Sequence, residues 1–185
     1  MTEHAAKVIF LIGFMGSGKS HEGRLLSKQT GLPFIDLDAW IQHQDGRSIT
    51  EIFKTDGEVY FRNYEAAQLQ LACASFPEDL SIQIGENQFK GIVATGGGTP
   101  CFHGNMEWMN AHGITIWLNL PIVVLVERLK WAKAKRPLIA EIKDEELIGF
   151  IETKIEDRKP YYSKANIEIA ECVDVDSLIQ KIKDA

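Results

Sequence analysis

"GFMGSGKS", residues 13–20, follows the apolar run "VIFLIG" (8–13) and precedes a stretch of helical spacing over 19–30. As a pattern it is Gly13-x-x-x-x-Gly18-Lys19-Ser20, a phosphate loop in its required place between a strand and a helix. Gly16 and Gly18 allow backbone angles that other residues avoid, so successive N–H groups can turn toward phosphate oxygens. A helix beginning near Lys19 adds the positive end of its dipole to the same place. Lys19 can reach the outer phosphates, and the Ser20 hydroxyl suits Mg²⁺. Lysines are ordinarily exposed, so Lys19 is expected to contribute little packing. The G-x-G-x-x-G spacing of dinucleotide folds is absent, because His21 stands where its third glycine would be.

Working outward, apolar β-branched runs alternate with longer segments of helical spacing. "VIFLIG" (8–13), "PFIDLD" (33–38), "GIVATG" (91–96), "ITIWLN" (114–119) and "NIEIA" (166–170) read as five buried parallel strands. Segments 19–30, 56–76, 103–112, 121–134 and 144–162 read as helices, with Pro121 at a first helical position and Gly31 and Gly113 as stops. The order predicts an α/β fold: one five-stranded parallel sheet with helices on both faces, in a single domain over 1–185. Residues 77–90 read as an irregular excursion or small hairpin before the third strand, on the far side of the sheet from the site. Ligands in such sheets bind beyond the carboxyl ends of the strands.

Composition narrows the class. The chain has 185 residues, 45% apolar and 25% charged, as in ordinary globular proteins. A net charge of −6 lacks the basic footprint of non-specific nucleic-acid binding, so no nucleic-acid partner is expected. No run approaches the roughly 18 apolar residues of a membrane helix, and the N-terminus does not read as a signal peptide. Cys73, Cys101 and Cys172, odd in number and far apart, fit reduced thiols and a cytoplasmic location.

The acceptor side of the site is read from the other strand ends. In "FIDLD" the two-residue period puts Asp36 and Asp38 on one face, one toward the Mg²⁺ shell and one toward the hydroxyl to be phosphorylated. Asp38 equally suits an N-cap for the helix "AWIQHQ". "ATGGGTP" ends the third strand in Gly96, Gly97 and Gly98, which let a small ligand lie against bare backbone or simply make a turn. Many phosphate-loop hydrolases place an Mg²⁺-binding aspartate there, so Asp36 becomes more necessary here. Arg62, Arg136 and Arg158 are each weak signals as solvated helix or loop residues, and together suggest clamps for anionic groups.

The ordered set "GFMGSGKS", "FIDLD", "GRSITEIFKTDGEVYFRNYE", "ATGGGTP", "RPLI" and "DRKPYY" resembles shikimate kinase along nearly the whole chain. The resemblance implies a phosphate-loop NTPase fold of the nucleoside-monophosphate-kinase kind, with a substrate-binding helical subdomain over about 38–76 and a lid over about 132–144. It implies transfer of phosphate from MgATP to the 3-hydroxyl of shikimate, in the pathway to chorismate and the aromatic amino acids. Gly16, Ser17, Gly18, Lys19, Ser20 and His21 would hold the nucleotide, with Mg²⁺ at Ser20 and, through water, at Asp36. Asp38 would bind the shikimate hydroxyls and act as base. Arg62 and Arg158 would hold the substrate carboxylate beside Gly97 and Gly98, Arg136 would close over the ATP phosphates, and Arg128 would lie on the adenine side. His21 departs from the threonine common in the family. Shikimate and ATP are the expected partners of a monomeric enzyme. The competing readings are a gluconate-type or nucleoside-monophosphate kinase, and a nucleotide-binding regulator without turnover.

Overall fold

Alternation along the strands decides which helices cover which face of the sheet. The structure is a computed structural model that describes residues 6–132, 139 and 142–185. In β1 (Lys7–Ile12), Val8, Phe10 and Ile12 face one side and Ile9 and Leu11 the other, as the two-residue period requires. The first set packs with residues of α2 (Leu37–Asp45), α3 (Ile49–Ala74) and α4 (Asn105–His112), together with Tyr162. The second packs with α1 (Lys19–Thr30) and the last helix, α7 (Val175–Lys183), through Leu26, Leu178 and Ile182. A third apolar cluster joins Phe14 to α5 (Ile122–Ala132) and α6 (Leu147–Tyr162) through Leu125, Leu129, Leu147 and Ile151. Helices on both faces bury β1 and the penultimate strand almost completely, which is why both read as continuous apolar runs.

Five strands run parallel in the order β2 (Phe34–Asp36), β4 (Asn87–Ala94), β1, β5 (Gly113–Leu118) and β6 (Ile167–Ile169). A sixth, β3 (Ile82–Ile84), pairs antiparallel with the first residues of β4. The 77–90 excursion is therefore the hairpin alternative, and it extends β4 backward to Asn87, away from the strand ends that carry the site. The chain leaves β1 toward β2 and later leaves β4 toward β5, so the connections diverge beside β1 and open a crevice at its carboxyl end.

Two boundaries differ from the sequence reading in ways that matter. The second strand stops at Asp36, and the Asp36 carboxylate caps α2 by accepting from Ala39 N at 3.2 Å. Asp38 is neither the cap nor on a strand; it lies in the first turn of α2. The helix expected from 56 starts at Ile49, where Ser48 and Glu51 form a reciprocal capping box. It is kinked at Gly57, whose φ of 81° only glycine adopts readily. Arg47 ties the α2–α3 corner to that kink through Asp45 at 2.5 Å and Asp56 at 2.6 Å. No helix among the described residues is long and apolar enough to cross a membrane.

Tight pairing of β1 and β5 generates a stability test. A Cβ on Gly113 would stand 1.8 Å from Val8 O, a backbone atom held in the sheet. Gly113→Ala should therefore lower stability by at least the ~1–3 kcal/mol typical of overpacking, read from the urea midpoint. Gly149 lies in α6 with open space at its Cβ position. Gly149→Ala should raise stability by about 0.5–1 kcal/mol through helix propensity.

Candidate active site

The phosphate loop spans the end of β1 and the start of α1, and its glycines adopt the required angles. Gly16 and Gly18 have φ of 84° and 100°, and Gly18 occupies the N-cap of α1, leaving the first helical N–H groups directed at the cleft. Lys19 is only 9% exposed, against expectation for a lysine, because its ammonium bends back into the loop. Nζ donates to Gly13 O at 2.9 Å and to Phe14 O at 3.0 Å. Ser20 Oγ donates to Asp36 Oδ2 at 2.5 Å, which joins the two residues proposed for Mg²⁺. A hydroxyl beside one carboxylate, next to a phosphate site, fits Mg²⁺, which takes few protein ligands and completes its shell with phosphate and water.

These residues line a cleft of about 470 Å³, with His21, Arg128, Asp38 and Gly97 in its walls. The Arg128 guanidinium, reaching across from α5, donates to Gly16 O at 3.2 Å and Ser17 O at 3.3 Å. It supports the loop from behind as well as facing the cleft.

A second cavity of about 430 Å³ adjoins the first and shares Met15, Asp38 and Gly97 with it. Its walls bring together Arg62, Arg158, Gly96, Gly97 and Gly98, as the sequence reading required, over an apolar side made by Ile49, Phe53 and Phe61. The glycines serve these arginines directly. A Cβ on Gly98 would meet the Arg62 guanidinium at 2.7 Å, and one on Gly97 would meet Arg158 Nη1 at 3.0 Å. Arg62 is fixed on one side by Glu65 at 2.8 Å and Glu58 at 3.3 Å, and on the other by the Phe102 ring at 4.4 Å. Arg158 lies over Phe14 at 5.3 Å, and neighbouring Tyr162 donates its buried hydroxyl to Gly97 O.

Asp38 sits where the two cavities meet. A Cβ on Gly96 would lie 2.8 Å from Asp38 Oδ1 and 3.0 Å from Glu65 Oε1, so both carboxylates converge on that bare backbone. Burial pushes the Asp38 carboxyl up to about 6, with Glu65 and then Asp36 adding to the rise. Lys19 and Arg62 oppose it without cancelling it. Such a group is a carboxylate at neutral pH yet keeps proton affinity near the working pH, as a general base should.

Glu65 is the cavity-lining residue that sequence reasoning missed. It is 1% exposed, accepts from Thr99 Oγ1 at 2.6 Å and pairs with Arg62. The i,i+3 spacing to Arg62 in "YFRNYE" was the available signal. Tyr162 was legible only as part of "DRKPYY". Arg136 and most of the expected 132–144 lid lie outside the described residues. Among the described residues no cluster of three or more His, Cys, Asp or Glu side chains is placed to hold a metal ion.

A family model described as shikimate kinase matches residues 15–184. A shikimate kinase of Parabacteroides distasonis is 40% identical over 161 residues, covering 87% of this chain and 86% of the other. The crystal structure of shikimate kinase from Bacteroides thetaiotaomicron superposes with a TM-score of 0.81 at 34% identity, covering 96% and 97% of the two chains. Shikimate kinase from Acinetobacter baumannii, solved in complex with shikimate, gives 0.78 at 28% identity over 96% and 90%. With the fold, the phosphate loop and the arginine-lined second cavity on the same strand ends, the chain belongs to the shikimate kinase family.

Proposed function

We propose that the chain transfers the γ-phosphoryl group of ATP to the 3-hydroxyl of shikimate, forming shikimate 3-phosphate on the route to the aromatic amino acids. The observation that carries this reading is the pair of adjoining cavities, one walled by the phosphate loop and one by Arg62 and Arg158, with Asp38 common to both. Family membership supports a kinase acting on shikimate with ATP as co-substrate. Two guanidiniums suit a carboxylate, since each can bond it in parallel pairs, and a neutral polyol acceptor would leave them unmatched.

In this reading Arg62 and Arg158 bind the shikimate carboxylate, and Gly97 and Gly98 let the ring lie close to the backbone. Asp38 orients the acceptor hydroxyl and takes its proton as the oxygen bonds to the γ-phosphorus and the bond to ADP breaks. Lys19, Gly16, Ser17, Gly18 and His21 hold the phosphates, where preformed N–H groups and one cation meet charge as it develops. Ser20 and Asp36 would hold Mg²⁺, which when bound neutralises phosphate charge. The resemblance assigns Arg136 to the same phosphates and residues 132–144 to a lid. Residues 38–76 act as the substrate-binding subdomain of one domain, and the protein works as a cytoplasmic monomer without nucleic-acid or membrane partners.

A coupled ADP-release assay tests the substrate. Shikimate should support turnover, and gluconate and nucleoside monophosphates should not; turnover on either rival in place of shikimate overturns the assignment. Arg158→Ala should raise the shikimate KM about tenfold to a hundredfold with little change for ATP, the effect of one lost charge-assisted bond.

Asp38→Asn separates catalysis from stability. It should lower kcat by about 10²–10⁴ through loss of the base. The folded carboxyl binds its proton more tightly than the unfolded one, so this group's contribution to wild-type stability falls as pH rises from about 4 through 6. The asparagine variant escapes that fall. Ligand-free, it should be more stable than wild type at pH 8 by on the order of 3 kcal/mol, with the gap closing near pH 4. Urea midpoints across pH measure it, and a gap of constant size would show that Asp38 is not burdened by burial.

A further inference from the structure

A third and smaller hollow, of about 40 Å³, lies behind the phosphate loop, between α1, α5 and the turn after β6. Its polar lining includes Ser17, Glu22, Arg128 and Cys172. Two of these atoms, Ser17 Oγ and Glu22 Oε2, are buried with no hydrogen-bond partner among the described residues, and Ser17 is only 3% exposed. An unpartnered hydroxyl and an unpartnered carboxylate oxygen on one hollow are costly unless a small group fills it that both donates and accepts. Room for a water-sized group needs only about 10–15 Å³ of such volume.

Cys172 is the group in that wall that chemistry can change. Its Sγ accepts from Arg128 Nη2 at 3.4 Å, while Nη1 of the same guanidinium holds the carbonyls of Gly16 and Ser17. All three cysteines are free, but Cys73 is buried, Cys101 half-buried and Cys172 exposed. Burial pushes the Cys73 thiol up to about 12 and raises that of Cys101 as well, so both resist forming the reactive thiolate.

We infer that Cys172 is a modification site for small hydroperoxides, whose sulfenic acid product is held in this hollow and draws Arg128 away from the phosphate loop. The Cys172 thiolate attacks one peroxide oxygen; an S–O bond forms, the O–O bond breaks, and the departing hydroxide or alkoxide leaves with a proton as water or alcohol. Sulfur gives up two electrons and the peroxide receives them. The new S–OH donates to Glu22 Oε2 and accepts from Ser17 Oγ, and its oxygen competes with the loop carbonyls for Arg128. None of the residues lining the acceptor cavity lines this hollow, so the effect falls on the nucleotide side. The consequence for ATP rests on the assignment of the phosphate cleft proposed above.

The full chain is treated with hydrogen peroxide, the sulfenic acid is trapped with a cyclic 1,3-diketone, and the site is read by peptide mass spectrometry. The adduct should appear at Cys172 ahead of Cys101 and Cys73. In parallel untrapped samples the ATP KM should rise about tenfold, as expected for one weakened charged contact. The shikimate KM should hold within about twofold, the size of change a site with no shared wall residues allows. A thiol reductant should reverse the change. Cys172→Ser keeps an acceptor for Arg128 and should lose both adduct and ATP effect. Adducts at Cys101 instead, an equal ATP shift in Cys172→Ser, or a Cys172 adduct with unchanged ATP KM would each overturn the inference. Mass detection does not depend on turnover: untreated protein that fails to use ATP refutes the phosphate assignment, whereas normal ATP use without a Cys172 adduct refutes only the modification site.

Discussion

A carboxyl group buried beside two other carboxylates has its proton affinity raised, and a chain can hold that arrangement only where cations and bare backbone are supplied together. Asp38 is in that position, with Glu65 and Asp36 as neighbours and Lys19 and Arg62 in partial opposition. Every nearby feature serves the arrangement. Gly96 has no Cβ because Asp38 and Glu65 occupy its place, and Gly98 has none because Arg62 does. Thr99, fully buried, donates its hydroxyl to Glu65 and leaves Arg62 to the other oxygen. The result is a carboxyl group that is ionised at neutral pH yet holds its proton more tightly than a free aspartate.

Convergence of those groups depends on where the strands end. β1, β2 and β4 are neighbours and parallel, so their carboxyl ends deliver Gly13, Asp36 and Gly96 to one edge of the sheet. Arg62 comes from elsewhere, on a helix of 26 residues that must cross from the α2 corner to the sheet. The kink at Gly57 lets one apolar face of that helix enter the core through Leu69, Ala72 and Cys73 while Arg62 still meets the cavity. The Arg47 clamp to Asp45 and Asp56 fixes the corner and the kink as one unit.

The sequence made the parallel sheet legible because both faces are buried, and a doubly buried strand needs an unbroken apolar run such as "VIFLI" or "ITIWL". The phosphate loop was legible for a related reason: few backbone conformations wrap an anion, and Gly16 and Gly18 mark them. Asp38 was harder, since a strand period and a helix turn both allow "FIDLD", and local sequence does not say that Asp36 turns the chain by capping α2. Glu65 was harder still. A glutamate on a helix is ordinarily solvated, and its burial follows from Gly96 and Thr99, which are about thirty residues away in sequence and adjacent only in the fold. Lys19 misled for the same reason, because the carbonyls that bury it belong to a loop whose shape the glycines determine.

That inward turn of Lys19 bears on how the site works. Its ammonium is held by the carbonyls of Gly13 and Phe14, and the loop therefore keeps its curvature before any phosphate arrives. In the proposed reading, phosphate oxygens with full negative charge would draw the ammonium from carbonyls that carry only partial charge, and the loop itself would not have to reorganise. Ser20 and Asp36 stand in the same relation, with a hydroxyl already bound to the carboxylate beside which a divalent ion would sit. The acceptor side is prepared differently, by packing Arg62 against Phe102 and Arg158 against Phe14 so that each guanidinium is oriented by a ring. One half of the site is set by backbone geometry and the other by side-chain packing, and Asp38 is the residue that has to satisfy both.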